Sequence, residues 1–296
     1  MVDLKIELPP DFWKEEIRSG YTVTAQMKRV WAVELDLLKE LLRVCDKYGL
    51  NCYADAGTLL GAVRHKGFIP WDDDIDMVMF RDDYEKLKEV ASREFSEPYF
   101  FQTAYTDKRY VYGHAQLRNK NTTAILESDV GKRLPYVQGI FIDIFVLDGV
   151  VRNKLFLCIQ RRLAEFLDEL IRCCVVEDEY LKWKGKIVSR ILRILNIGYL
   201  TLYRTKDWII RKGDIKSCEN VAPLGFVFET EKRIRSKALY DETVWINFEN
   251  MKVPAPIGYD EFLHRRYGQY MECKRIPTTH GGVVFDADNS YTKYLN

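Results

Sequence analysis

Apolar residues first recur at helical spacing. Trp31, Leu35, Leu38, Leu42 and Cys45 fall on one face of a helix predicted over residues 24 to 48. Lys47-Tyr48-Gly49 closes it with a C-terminal glycine. The pattern then shortens. Asn51 to Ala54 reads as a strand, and Gly57-Thr58-Leu59-Leu60-Gly61 as a turn that opens a short helix. Phe68 to Asp73 reads as a loop and Ile75 to Phe80 as a strand. Asp82 and Asp83 are predicted N-caps of a helix through Tyr84, Leu87, Val90 and Ala91. Further strands are predicted at Tyr99 to Gln102, Gly113 to Leu117 and Thr123 to Leu126. Gly139 to Val146 is nearly all apolar, as in a strand buried on both faces.

Residues 153 to 212 change character and predict two or three helices. From Lys182 to Lys212 there are nine basic residues and one acidic residue, Asp207, around an apolar stripe of Ile187, Ile191, Ile194 and Leu195. One reading packs that stripe on a core and leaves the basic face to water. The other lays the helix on an anionic membrane surface. Strands return at Val221 to Phe228 and Thr243 to Phe248. Pro254-Ala255-Pro256 is expected to break the chain, and a helix runs from Tyr259 to Tyr267, ending at Gly268. The alternation predicts an α/β (α+β) fold of three parts: a core over 1–152, a basic helical insertion over 153–215, and a C-terminal part over 216–296 that completes the core.

Composition narrows the class. Hydrophobic residues make up 47% and charged residues 30% of the 296, as in a folded globular chain. A formal net charge of +1 gives no global basic field for nucleic acid. The seven cysteines are odd in number and form no CxxC pair, which favours a reducing compartment. The charged start, Met1 to Glu7, lacks the apolar stretch of a signal peptide, and no apolar run is long enough to span a bilayer. A cytoplasmic location is expected; on the second reading residues 182–212 would contact the inner membrane face.

The chemistry concentrates in Pro70-Trp71-Asp72-Asp73-Asp74-Ile75-Asp76. Four carboxylates run into an apolar strand, and an extended chain puts Asp72, Asp74 and Asp76 on one side. Like charges at the edge of a core call for a cation, and hard cations such as Mg²⁺ join carboxylates to phosphates. Asp143 is the one carboxylate inside the apolar strand and needs a cation or a strong donor as well. An EF-hand is excluded, because Met77 stands where its loop requires glycine.

The run from Ala56 to Asp76 resembles the signature of the LicD family, phosphocholine transferases of bacterial surface glycans such as lipopolysaccharide and teichoic acid, with the fukutin-related proteins as relatives. Gly139 to Asp148, Val253-Pro254-Ala255-Pro256, and Tyr259 to Tyr270 with its Arg-Arg-Tyr-Gly resemble later family segments. The resemblance implies a nucleotidyltransferase-like mixed sheet flanked by helices. It maps a Gly-Thr turn to Gly57 and Thr58, a carboxylate pair to Asp74 and Asp76, and a third carboxylate to Asp143.

The activity so implied is transfer of a phosphocholine-type group from a CDP-linked donor, CDP-choline foremost, to a hydroxyl of a glycan or its lipid-linked precursor, with release of CMP. Asp74, Asp76 and Asp143 would be catalytic and would hold one or two Mg²⁺ ions, Mn²⁺ being an alternative. Gly57 and Thr58 would approach a phosphate, Arg64, His65 and Lys66 would stabilise the leaving CMP, and Trp71 would face the choline ammonium. Asp72 and Asp73 are expected to be supporting or loop charges. Asp55, ahead of the Gly-Thr turn, departs from the small or hydroxyl residue expected there. The competing readings are a metal-dependent glycosyltransferase using a nucleotide-sugar and a non-catalytic nucleotide-binding module.

Overall fold

The computed structural model describes residues 2–107, 110–131, 134, 136–226, 233–275 and 282–294. Val227 and Phe228, which the sequence places at the end of a strand, lie outside them. The chain divides into two compact units. The first comprises Met1–Gln102, Gln116–Ile144 and Ala238–Asn296, and the second Thr103–Ala115 and Phe145–Lys237.

The first unit is organised by a long helix, α1 (Ala25–Tyr48). The Thr24 side chain accepts from the Met27 N–H at its start, and Gly49 ends it in the left-handed conformation, as the sequence predicts. Burial reaches well beyond one stripe and takes in Lys28, Glu34, Asp36 and Glu40 as well as the leucines. A strand β3 (Cys52–Ala54) follows, then α2 (Ala56–His65), strand β4 (Asp76–Phe80) and helix α3 (Arg81–Glu94). β3 and β4 pair antiparallel, Cys52 opposite Met79 and Ala54 opposite Met77.

Next come β5 (Tyr99–Gln102), β6 (Ala115–Asn119), β7 (Thr123–Leu126) and β8 (Phe141–Gly149). β8 lies beside β4 on one side and β6 on the other, and β6 pairs with β5. The Asp143 N–H donates to the Ile75 carbonyl at 2.8 Å, which fixes β8 against the entry to β4. The architecture is thus a mixed α/β one, a sheet with helices, as expected.

Three local expectations are corrected. Asp82 and Asp83 are not N-caps, because β4 runs directly into α3; Phe80 occupies the cap and the two aspartates sit in the first turn. There their charge still meets the positive helix end. The predicted strand from Gly113 begins instead at Ala115. A Cβ on Gly113 would meet the Gly225 carbonyl oxygen, so Gly113 serves a close backbone approach within the second unit.

Pro254 and Pro256 do not break the chain. They lie inside β12 (Met251–Pro256), paired antiparallel with β11 (Thr243–Phe248). The Ile257 N–H donates to the Glu242 carbonyl, so odd-numbered residues of this strand face β11. The prolines have the other parity, where the missing N–H points away from the ladder. Helix α7 (Tyr259–Tyr267) then ends at Gly268, and β13 (Val283–Asp286) pairs with β7.

The second unit holds the three helices of the insertion, α4 (Lys154–Val175), α5 (Trp183–Ile194) and α6 (Tyr199–Ile210). Strand β9 (Asn220–Ala222) pairs with the end of β8 and with β10 (Arg235–Ser236). The helices pack through Leu167, Ile171, Cys173, Leu192 and Leu202. Their opposite faces are apolar too. Leu155 of α4 is 70% exposed, Trp183 of α5 69% and Ile194 82%. The predicted stripe of Ile187, Ile191, Ile194 and Leu195 therefore faces solvent, while α5 buries Ser189 and Leu192. The reading that packs this stripe on a core is overturned.

Candidate active site

The acidic block is set in place from α1. The Trp31 indole stacks on Phe68, ring centroids 4.4 Å apart and planes 4° from parallel, and Phe68 meets Phe248 at 4.9 Å. All three rings are fully buried. Such aromatic contacts add about 1 kcal/mol each beyond the area they bury. The Trp31 indole N–H donates to the Asp72 carbonyl at 3.0 Å. A buried carboxylate, Glu249, holds the same loop from the turn between β11 and β12. It accepts from the Phe68 N–H at 3.0 Å and from Arg18, while its own N–H donates to the Lys66 carbonyl at 2.7 Å. The loop that carries four aspartates is thus clamped at both ends.

The three predicted metal ligands come together. Asp74, Asp76 and Asp143 each offer one carboxylate oxygen within 4.8 Å of the others. A Mg²⁺ ion bonded at about 2.1 Å accepts oxygens about 3–4 Å apart, so small side-chain adjustments suffice to fit this set. The donor type fits as well, since all are hard carboxylate oxygens. Asp143 sits half-buried on β8 between the fully buried Ile142 and Ile144, an alternation that turns its carboxylate off the core face.

Residues that sequence reasoning missed support Asp143. The Gln116 side-chain amide donates to Asp143 Oδ1 at 2.7 Å. Arg118 donates in turn to Gln116 Oε1, to Gln102 Oε1 and to the Gly139 carbonyl, and its guanidinium lies over the Phe141 ring at 4.5 Å. Gln102, Gln116 and Arg118 are all buried. This chain of hydrogen bonds fixes one carboxylate oxygen of Asp143 and leaves little freedom to the other.

Thr58 and Gly57 position the aspartates. Thr58 is 3% exposed, and its hydroxyl accepts from the Asp76 N–H at 2.8 Å. A Cβ on Gly57 would meet Asp72 Oδ2 at 2.5 Å, so glycine lets that carboxylate close on the first turn of α2. Asp55, unexpected in the sequence, is buried; its N–H donates to the Asp76 carbonyl at 2.9 Å and its carbonyl accepts from Leu59.

The basic residues after α2 divide. Arg64 donates to the carbonyls of Tyr270 and Glu272, at 3.0 and 3.2 Å, and to His65 at 2.9 Å. Burial, then the nearby Arg64 and Arg18, pulls His65 down to about 4, so it is neutral near pH 7. Lys66 is exposed and ends α2 in the left-handed conformation, its backbone N–H bonded to the Gly61 carbonyl. Trp71 is half-buried and edge-on to Tyr21, ring centroids 6.0 Å apart. From α7, Tyr267 joins the site. Burial pushes its hydroxyl up to about 12; Arg266 works against this, and Asp55 and Asp76 add to it.

Comparison with known proteins follows this geometry. A family model described as LicD/FKTN/FKRP, nucleotidyltransferase domain, matches residues 49–146, which contain all three aspartates. The chain is 27% identical over 245 residues to the lipopolysaccharide cholinephosphotransferase LicD of Haemophilus influenzae, an alignment covering 80% of this chain and 88% of that protein. An uncharacterized protein of Rickettsia prowazekii is 37% identical over 70 residues, 24% of each chain. Another from Rickettsia typhi is 35% identical over 72 residues, 24% of this chain and 21% of that one.

Proposed function

We propose that this chain, whose residues 49–146 match the LicD/FKTN/FKRP nucleotidyltransferase domain, is a LicD-type transferase that moves a phosphocholine-type group from a CDP-linked donor to a glycan hydroxyl. The observation that carries this reading is the convergence of Asp74, Asp76 and Asp143 within 4.8 Å. The acceptor oxygen attacks the phosphorus that bears the choline. A new O–P bond forms, the bond to CMP breaks, and CMP leaves with the electron pair. Such transfers depend on positioning and charge neutralisation more than on covalent help.

Asp74 and Asp76 would hold Mg²⁺, which when bound would neutralise the charge of a diphosphate donor. Asp143, aimed by Gln116, takes the proton of the attacking hydroxyl. Gly57 and Thr58 keep Asp72 and Asp76 at the mouth of α2, where backbone N–H groups favour anions. Lys66 is the basic side chain of the motif that stays solvent-facing, to meet the leaving CMP. Trp71 takes the quaternary ammonium by cation–π contact.

The acceptor belongs at a membrane surface. No helix among the described residues is long and apolar enough to cross a bilayer. The outward faces of α4 and α5 carry Leu155, Ile159, Leu163, Trp183, Ile187 and Ile191, with Lys182, Lys184 and Arg190 exposed among them. Apolar side chains rimmed by basic ones suit an anionic bilayer interface, where a lipid-linked glycan precursor would be held. Binding to vesicles of anionic lipid at low salt, weaker on neutral vesicles, is the expected result; equal failure on both would remove this part of the reading.

A donor panel tests the chemistry. CDP-choline, other CDP-alcohols and UDP-sugars are each incubated with Mg²⁺ and a glycan acceptor. CMP release confined to the CDP-linked donors is expected. Release of UDP instead would make the protein a glycosyltransferase, and donor binding without any release would make it a binding module.

A further inference from the structure

Glu34 stands one turn beyond Trp31 on α1, on the helix that carries the acidic loop. It is 1% exposed, and its Oε2 has no hydrogen-bond partner among the described residues. A carboxylate oxygen shut off from both water and donors is costly to keep. Its strongest charged neighbours are Asp74, Asp73, Asp72 and Asp143, in that order. Burial first, and these carboxylates next, hold it well above the usual carboxylate range. A buried, donor-less oxygen on the helix whose Trp31 bonds the Asp72 carbonyl, with carboxylates as its main charged influences, is an arrangement that a nearby cation would make favourable.

The acidic loop supplies the rest. Asp72, Asp73 and Asp74 bring one carboxylate oxygen each within 4.8 Å of one another, a grouping separate from that of Asp74, Asp76 and Asp143 but sharing Asp74. Gly57 leaves room for the Asp72 carboxylate where any side chain would displace it. We propose that Asp72, Asp73 and Asp74, backed by Glu34 from α1, form a second site for a hard divalent cation, bridged to the first through Asp74. Asp72 and Asp73, which the sequence suggests as supporting charges, then become ligands, and Glu34 becomes the buried carboxylate that receives the cation or its bound water.

This site shares Asp74 with the proposed donor site but does not depend on which donor is used, so metal counting tests it apart from CMP release. Metal-free protein is titrated with Mn²⁺, and bound ions per chain are counted by electron paramagnetic resonance. Two Mn²⁺ are expected for the wild type. One is expected for Glu34→Gln and one for Asp73→Asn, while Asp76→Asn keeps the ion at the new site. Glu34→Gln keeps the side-chain shape, and metal-free Glu34→Gln should melt no lower than metal-free wild type. If Glu34→Gln fails to fold, Asp73→Asn decides, since Asp73 is only half-buried. A single Mn²⁺ in the wild type would overturn the proposal, as would two retained in both variants. A Glu34 that only stores a proton would give that second result.

Discussion

The acidic cluster of the first unit and the helical face of the second break the same rule in opposite senses. In the first, carboxylates crowd the edge of a core, and Glu34 is buried with its Oε2 lacking a donor among the described residues. In the second, α4 and α5 keep polar Gln160 and Ser189 inside and turn Leu155, Trp183 and Ile194 to solvent. Buried polar groups and exposed apolar faces are the two departures from ordinary burial that carry information. The first calls for a cation and a phosphate, and the second for an apolar surface. The two readings rest on separate observations and can fail separately.

Variants sharpen the contrast. The largest effect among them is expected at Gln116. Gln116→Ala removes the donor to Asp143 Oδ1 without touching a ligand, and should lower kcat/KM for CMP release by about 10–100-fold. Vesicle binding, proposed for the second unit, should not move. If Gln116→Ala turns over as wild type, Asp143 needs no positioning and the buried network is structural alone.

The converse variant is Ile191→Glu with Ile194→Glu. These residues are 49% and 82% exposed, so the melting temperature should hold. Burying one such side chain is worth about 1.5–3 kcal/mol, so anionic-vesicle affinity should fall by more than about tenfold. Hydrolysis or transfer with a water-soluble acceptor should stay unchanged. A loss of turnover together with unaltered vesicle binding would reverse the assignment of roles.

How much of this was legible in the sequence differs between the regions for physical reasons. The acidic block and Asp143 could be flagged because carboxylates running into an apolar strand, or standing inside one, stand out; the resemblance to the LicD family then singled out Asp74 and Asp76 from Asp72 and Asp73. Glu34 could not, because α1 is buried on nearly every side, so its position between Val33 and Leu35 looks like an ordinary polar face. Gln116 and Arg118 alternate with apolar residues as in a half-solvated strand, yet all five residues of β6 are buried. On α5 the apolar period was legible, but a period does not say which face meets a core; the structure turns that stripe outward.

The smallest expected effect concerns His65, which is held down at about 4 while the unfolded chain titrates near 6.5. Between these values the unfolded state binds more protons, so stability rises with pH from about 4 to about 6.5 and then levels off. His65→Gln should flatten that segment of a melting-temperature profile while leaving the slope elsewhere intact. An unchanged slope would mean that His65 is not the buried neutral group described.

The most direct test of the central claim is CMP release from CDP-choline with Mg²⁺ by the wild type and by Asp143→Ala, with circular dichroism to confirm that both are folded. A folded Asp143→Ala that releases CMP more than about 100-fold slower, beyond the range of outer-shell losses, is the predicted result. Wild-type turnover in that variant would contradict the account.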